Sequence, residues 1–406
     1  MKALDSTRGF ALAAFSAIAL AGAAFQFTEW SALANAKLLD VGFRFWRAVA
    51  PQPVTREVAV IGIDVEDLRE FNDPRDFWHA HYGRFLAGLA KAKPSVVGLD
   101  VVLPERSYHH LIPGLDHALL RGLIAMRDRA PVVLARTVDD FRNFREIFPP
   151  YVAMVGPEAV GSILVCRDED EVIRRFDEFL CDPGRSEPVP SLAGLMANRL
   201  GVKGAWRGWI DFRIGEPIQY VPFRDAVRRA ESDDAEWRAA IDGRPVLLGF
   251  VLPFEDRRII PVDLARWEPG NRSVPGVLVH AQILRAMLNG GLVQALPAWP
   301  VFLLVLGGAA FVFLPSRWSS IAAYALFLAV LAVCGLALLR AGWFLEPATP
   351  ALAATLALGV RFGRDGVAQA RERTMLRNAF ASYVSPQIMS EILAGRIRPG
   401  LRGRRE

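Results

Sequence analysis

The sequence predicts an α/β extracytoplasmic domain with a mostly parallel sheet, plus four transmembrane α-helices. Three observations predict it: long apolar runs confined to the two ends of the 406 residues, short β-branched runs alternating with helical stretches between them, and basic residues gathered at particular flanks of the apolar runs. The 52% apolar content lies above the usual globular level. That excess sits in the ends, whereas Lys37 to Gln294 carries charges and turn residues throughout.

A bilayer core takes roughly 20 apolar helical residues to cross. After a short amino end (1–8), the first run is 9–27 (GFALAAFSAIALAGAAFQF), the second 298–314, the third 321–339 and the fourth, short and Ala-rich, 347–360. The first is long for a cleavable signal segment, although Ala34-Asn35-Ala36 has the form of a cleavage site well beyond its end. Lys2 and Arg8, Arg317, and the tail arginines Arg361, Arg364, Arg371, Arg373 and Arg377 place the amino end, the loop between spans two and three, and 361–406 in the cytoplasm. Domain 38–296 is then outside the cytoplasm. The net charge of +5 follows from these membrane flanks and calls for no nucleic acid partner.

In the exported domain, 58–63 (VAVIGI), 96–102 (VVGLDVV), 132–135 (VVLA) and 246–251 (VLLGFV) read as strands buried on both faces. Helical stretches at Tyr82 to Lys93 and Leu115 to Ala130 alternate with them, which argues a mostly parallel sheet. Two hairpins are expected beside it, one turning at Asp168 to Glu171 and one joining Asp211–Ile214 to Pro217–Val221. Cys334 falls in the third span; Cys166 and Cys181 lie in the exported domain, where a disulfide persists. A regular hairpin would carry Cys181 past the position opposite Cys166, so the bridge stays open at this point.

Ligands of open α/β sheets bind beyond the carboxyl ends of the strands. Asp64 ends the first strand, Asp100 lies near the end of the second, and Glu255 and Asp256 follow the fourth, with His280 opening a later helix. Asp64, Asp100, Asp256 and His280 are therefore the ligand-binding candidates, against the alternative that an aspartate after a strand only caps the next helix. His79, His81, His109, His110 and His117 lack converging metal-ligand spacing. No G-x-S-x-G elbow, Walker loop or dinucleotide fingerprint occurs, so no catalytic residue, cofactor or metal is assigned.

Several segments resemble a known family. Leu38-Leu39-Asp40 with Phe43-Arg44-Phe45, Val60-Ile61-Gly62-Ile63-Asp64, Val97-Gly98-Leu99-Asp100-Val101-Val102, Asp168 and Asp170 with Arg174-Arg175, Ser191-Leu192-Ala193, and Pro275-Gly276-Val277-Leu278-Val279-His280-Ala281-Gln282 resemble the CHASE domain of the second type. That is an extracellular sensor module of bacterial receptors, followed by three spans. Two departures stand out. Asn72-Asp73-Pro74-Arg75-Asp76-Phe77-Trp78 holds the family's tryptophan, proline and arginine in another order, and Glu171 stands where a glycine is expected.

The tail 375–389 (MLRNAFASYVSPQIM) resembles the transducing helix ahead of class III adenylate and guanylate cyclase domains, and 396–406 resembles the run into the first cyclase strand. The metal-binding aspartates of such a cyclase are not among these residues, so no enzyme activity is expected of this chain. Leu376, Phe380 and Tyr383 lie at near-helical spacing and suit a homodimer seam; the competing reading is a basic amphipathic tail on the membrane surface. The combined expectation is a receptor module with an unidentified extracytoplasmic ligand and the lipid bilayer as partners, a membrane scaffold without ligand-driven signalling being the alternative.

Overall fold

A computed structural model of the chain describes residues 2–141, 143–178, 190–204, 206–314 and 317–380. It divides into two units, one of 33–296 with 335–346 and one from the described parts of 1–32, 297–334 and 347–406.

In the first unit, six strands form one sheet: β1 (Ala59–Ile63), β2 (Val96–Asp100), β3 (Val132–Arg136), β4 (Val160–Ser162), β5 (Tyr220–Pro222) and β6 (Pro245–Phe250). Their order is β4-β3-β2-β6-β1-β5 and every pairing is parallel, with Leu247 opposite Val60 and Val246 opposite Val97. Side chains alternate between two cores, as the period of two dictates. Val60, Val96, Val133 and Leu247 join Leu39, Phe43, Met196 and the helix Gly276–Leu288 on one face. Ile61, Val97, Leu134 and Leu248 join Phe85, Leu119 and Phe223 on the other. Burial on both faces is why these strands read as unbroken apolar runs.

Neither expected hairpin forms. Val160–Ser162 enters the main sheet beside β3, and the acidic turn closes through Asp168 N–H to Val172 O (3.0 Å), while Arg175–Asp177 pairs antiparallel with Arg207–Trp209. Tyr220–Pro222 becomes the opposite edge of the main sheet. With no ladder joining 162–167 to 172–176, the register argument about the cysteines does not apply: Cys166 is disulfide-bonded and Cys334 is free. Cys181 lies outside the described residues.

The helix Glu29–Val49 is locked to this unit by a buried charge cluster. Arg174, 0% exposed, donates Nε and Nη2 to the two oxygens of Asp40 (2.6 and 2.9 Å) and Nη1 to Asp168 (2.9 Å) and Asp170 (2.7 Å). Lys37 adds a second cation on Asp170, whose carboxyl is held well below its usual range, first by the hydrogen bonds from Arg174. Further along, Trp46 Nε1 donates to Leu336 O (2.9 Å) and Arg340 donates to Ala50 O (2.6 Å) with its guanidinium over the Trp46 ring.

In the second unit, Lys2–Phe25, Ala298–Ala309 and Ala348–Phe380 pack through small residues. Ala11, Ala309, Ala353, Ala354 and Ala357 form its core together with Ile18, Val305, Phe311 and Val312, and a Cβ on Gly308 would lie 2.8 Å from Pro350 O, the close backbone approach familiar from membrane helices. Two helical segments, Arg8–Phe25 and Trp318–Arg340, are long and apolar enough to span a bilayer, where four spans were expected. Ala298–Phe313 is apolar but shorter, and 347–360 opens a helix that continues unbroken to Phe380 through Arg361, Arg364, Asp365 and Arg371. Trp318–Arg340 is no soluble core helix, because Trp318, Leu326 and Val333 stand exposed along it.

Two stability outcomes follow. Arg174→Ala strips the buried Asp40 of its cation and leaves Asp168 and Asp170 only the exposed Arg175 and Lys37; it costs about 3–5 kcal/mol, so the thermal midpoint should fall by about 10 °C or the chain should fail to accumulate. Glu171 adopts φ +62°, the left-handed conformation that glycine takes freely. Glu171→Gly should therefore raise stability by about 0.5–1 kcal/mol, and an unchanged or lower midpoint would refute that strain.

Candidate functional site

Because all six strands are parallel, their carboxyl ends share one edge of the sheet. A cavity of about 500 Å³ opens there, at the ends of β2, β3, β4 and β6, where Asp100, Thr137, Ile163 and Phe250 line it. Its lining also takes in the loop 101–106, Asp256 and Arg258, and Arg75, His79 and Tyr82. The size suits a small molecule.

Asp100 is 9% exposed, and no described residue donates a hydrogen bond to its carboxyl. Burial, reinforced by the charge of Asp256 and opposed by Arg258, pushes its pKa up to about 8. It faces Gly249 across the β2–β6 ladder; a Cβ there would lie 2.7 Å from Val277, so glycine lets the helix Gly276–Leu288 close onto this edge. Asp256 takes φ +49°, accepts the Gly276 N–H on its carbonyl (2.9 Å) and pairs with Arg258 (2.6 Å). A Cβ on Gly276 would lie 2.0 Å from an Asp256 carboxylate oxygen, so the start of that helix admits no side chain. Burial also raises the Asp256 pKa, with Glu255 adding to it and Arg258 opposing.

The lining around Arg75 and His79 is held by a further network. Arg75 pairs with Glu255 (2.5 Å) and lies over the Phe250 ring. His79, fully buried, sits 3.1 Å from Asp76 O and 3.3 Å from the Asp116 carboxylate, and burial lowers its pKa. Asp116 in turn accepts from the Ser107 hydroxyl, Tyr108 N–H (3.3 Å) and Tyr151 hydroxyl (3.3 Å), which ties the cavity's loop to the neighbouring helix.

Of the four residues singled out in the sequence, Asp100 and Asp256 line this cavity together. His280 is buried behind it, interacting with the Ile163 backbone and Arg258, and burial followed by Arg258 takes its pKa down to about 4. Asp64 lies elsewhere: it caps Val65–Glu70, accepting from Glu66 and Asp67 N–H, pairs with Arg224 (2.7 Å) and accepts the Tyr220 hydroxyl (3.2 Å). Arg75, Tyr82 and Arg258 went unassigned and His79 was weighed only as a metal ligand; the Asn72–Trp78 cluster pointed toward Arg75. On the tail, Leu376 is exposed, while the Phe380 side chain and Tyr383 lie outside the described residues.

A family model described as the CHASE2 domain matches residues 11–314. Comparison with curated proteins and with solved structures finds no match.

The raised pKa of Asp100 makes folding take up a proton between pH 4 and 8, so its contribution to stability is greatest below the unfolded pKa and falls as pH rises toward 8. Asp100→Asn removes that loss. Its thermal midpoint should match wild type near pH 4 and exceed it increasingly up to pH 8, at on the order of 1 kcal/mol per pH unit; a difference independent of pH would show that Asp100 ionises normally.

Proposed function

The chain belongs to the CHASE2 domain family, a family of extracellular sensor domains, and from that premise we propose that it receives a small extracytoplasmic molecule in the strand-end cavity. The observation that carries this reading is the cavity's junction with the helix Gly276–Leu288. Every residue of that helix is buried, its first N–H rests on Asp256, and its last turns are tied by Arg285 to Glu57 (2.7 Å) and to Glu216 O (3.1 Å). A ligand that draws on Asp256 or Arg258 therefore acts on an element with no slack. From its end the chain runs through Gln294–Ala295, paired in parallel with Trp343–Phe344, so the segments preceding Ala298 and Ala348 are joined to each other within the sensor unit.

The same reading gives four membrane crossings at 9–27, 298–314, 321–339 and 347–360, with both termini cytoplasmic, the domain in the periplasm, and an output of class III nucleotidyl cyclase type. The disulfide at Cys166 supports export, and the two apolar helices support the membrane anchor. The exposed Leu376 and Met375 support a seam between two copies, since an apolar stripe on a lone tail helix would stay in water.

Alkaline phosphatase fused at Asp140 should be active and at Gly400 inactive; activity at Gly400 would overturn the topology. In a Cys334→Ser background, Leu376→Cys should crosslink between copies in membranes several-fold more than Arg377→Cys, and equal yields would remove the seam.

A further inference from the structure

The charges of the strand-end cavity do not cancel evenly. Arg75 is paired with Glu255, Arg145 with Glu105 (2.6 Å) and Arg258 with Asp256, while Asp76 and Arg106, both exposed, oppose each other in sign. What remains is Asp100. Its carboxyl is nine-tenths buried, lines the cavity, lacks any hydrogen-bond donor among the described residues, and stands in the field of the second carboxylate, Asp256.

Such a group lacks donors, and the cation in its field, Arg258, is already held by Asp256. An anionic ligand would bring a further negative charge toward Asp100 and Asp256 and meet arginines that already hold carboxylates. A bare metal ion would find no set of three or more His, Cys, Asp or Glu placed to hold it among the described residues. A polyatomic cation supplies N–H donors and positive charge together, and the volume of about 500 Å³ admits a chain of several heavy atoms behind the charged end.

We propose that the strand-end cavity binds a small organic cation, a primary amine or a guanidine, whose charged nitrogen donates to the Asp100 carboxylate at the end of β2. The inference rests on reading this cavity as the sensor's ligand site. Binding then displaces the Asp100 proton at pH values below about 8, so affinity rises with pH up to that point and levels off above it.

The test is calorimetric titration of the purified full chain in nanodiscs with putrescine and agmatine, against 1,4-butanediol and succinate as neutral and anionic counterparts of similar length. At least one cation should bind more tightly than 1 mM at pH 8 (roughly the affinity scale of a small ligand), with affinity about tenfold higher at pH 7 than at pH 6. Asp100→Asn should lose at least about tenfold while keeping or raising its thermal midpoint, which separates lost binding from lost folding, and Glu231→Gln on the exposed surface should bind as wild type. Absence of cation binding, or cation binding indifferent to Asp100→Asn, overturns the proposal. Succinate or butanediol binding that Thr137→Trp abolishes, without cation binding, overturns the cation class and leaves the cavity as the ligand site. Cation binding indifferent to both Asp100→Asn and Thr137→Trp overturns the cavity itself.

Discussion

The bidentate grip of Arg174 on Asp40 is the constraint on which the sensor unit's connection to its first helix depends. A guanidinium removed wholly from water is tolerable only where its donors are satisfied by well-placed carboxylates, and here Asp40, Asp168 and Asp170 supply them. One side of the contact is the helix Glu29–Val49; the other is the acidic turn ahead of Arg175–Asp177. The cluster thus fixes the rotation of that helix, because turning it would expose Leu39 and Phe43 from the core and break both Asp40 bonds at once. Ion pairing adds less to net stability than to this choice of one orientation.

That constraint explains which parts of the fold were legible in the sequence. Four strands were readable because burial on both faces leaves uninterrupted apolar runs, and β2 differed only in ending at Asp100 rather than Val102. Of the three-residue edge strands, β5 was misread as a hairpin arm and β4 was passed over but for Ser162, since nothing local in Val160–Ser162 or Tyr220–Pro222 says whether the partner is the next segment or a distant strand. Asp40, Asp168, Asp170 and Arg174 were each visible as quoted motif residues. Their convergence was not, because the two sides lie more than a hundred residues apart in sequence.

The candidate site divides along the same line. Asp64 and Asp100 look alike in the sequence, each an aspartate at the end of an apolar strand. Long-range neighbours decide between them: Arg224 and Tyr220 satisfy Asp64, whereas Asp100 meets only the opposed charges of Asp256 and Arg258. The helix Ala348–Phe380 shows a related limit. A charge such as Arg361 interrupts an apolar run when residues are counted, yet in the structure it is nearly buried and paired with Asp365 (2.7 Å), four residues further along the helix. Such pairing lets a helix carry charge at a cost that composition alone overstates.

The route proposed for a ligand signal out of the cavity is limited by the same packing. A ligand shifts a conformational equilibrium only by its difference in affinity between two states, so the element beside the cavity must have two arrangements of unequal contact with it. The helix Gly276–Leu288 cannot reorient gradually: Gln282 donates to Asp211 O (2.7 Å) and Ile214 O (3.2 Å), and Arg285 is held by Glu57 and Glu216 O. Nor can its first turn move alone, since Gly276 is pressed against the Asp256 carboxylate with no room for a side chain. Any second state must therefore displace the helix as one body together with the segment 211–216. The buried Arg213–Asp211 pair, internal to that segment (2.6 Å), travels with it, and the contact onward from the segment is at Gln52, whose N–H rests on Arg213 O (3.0 Å).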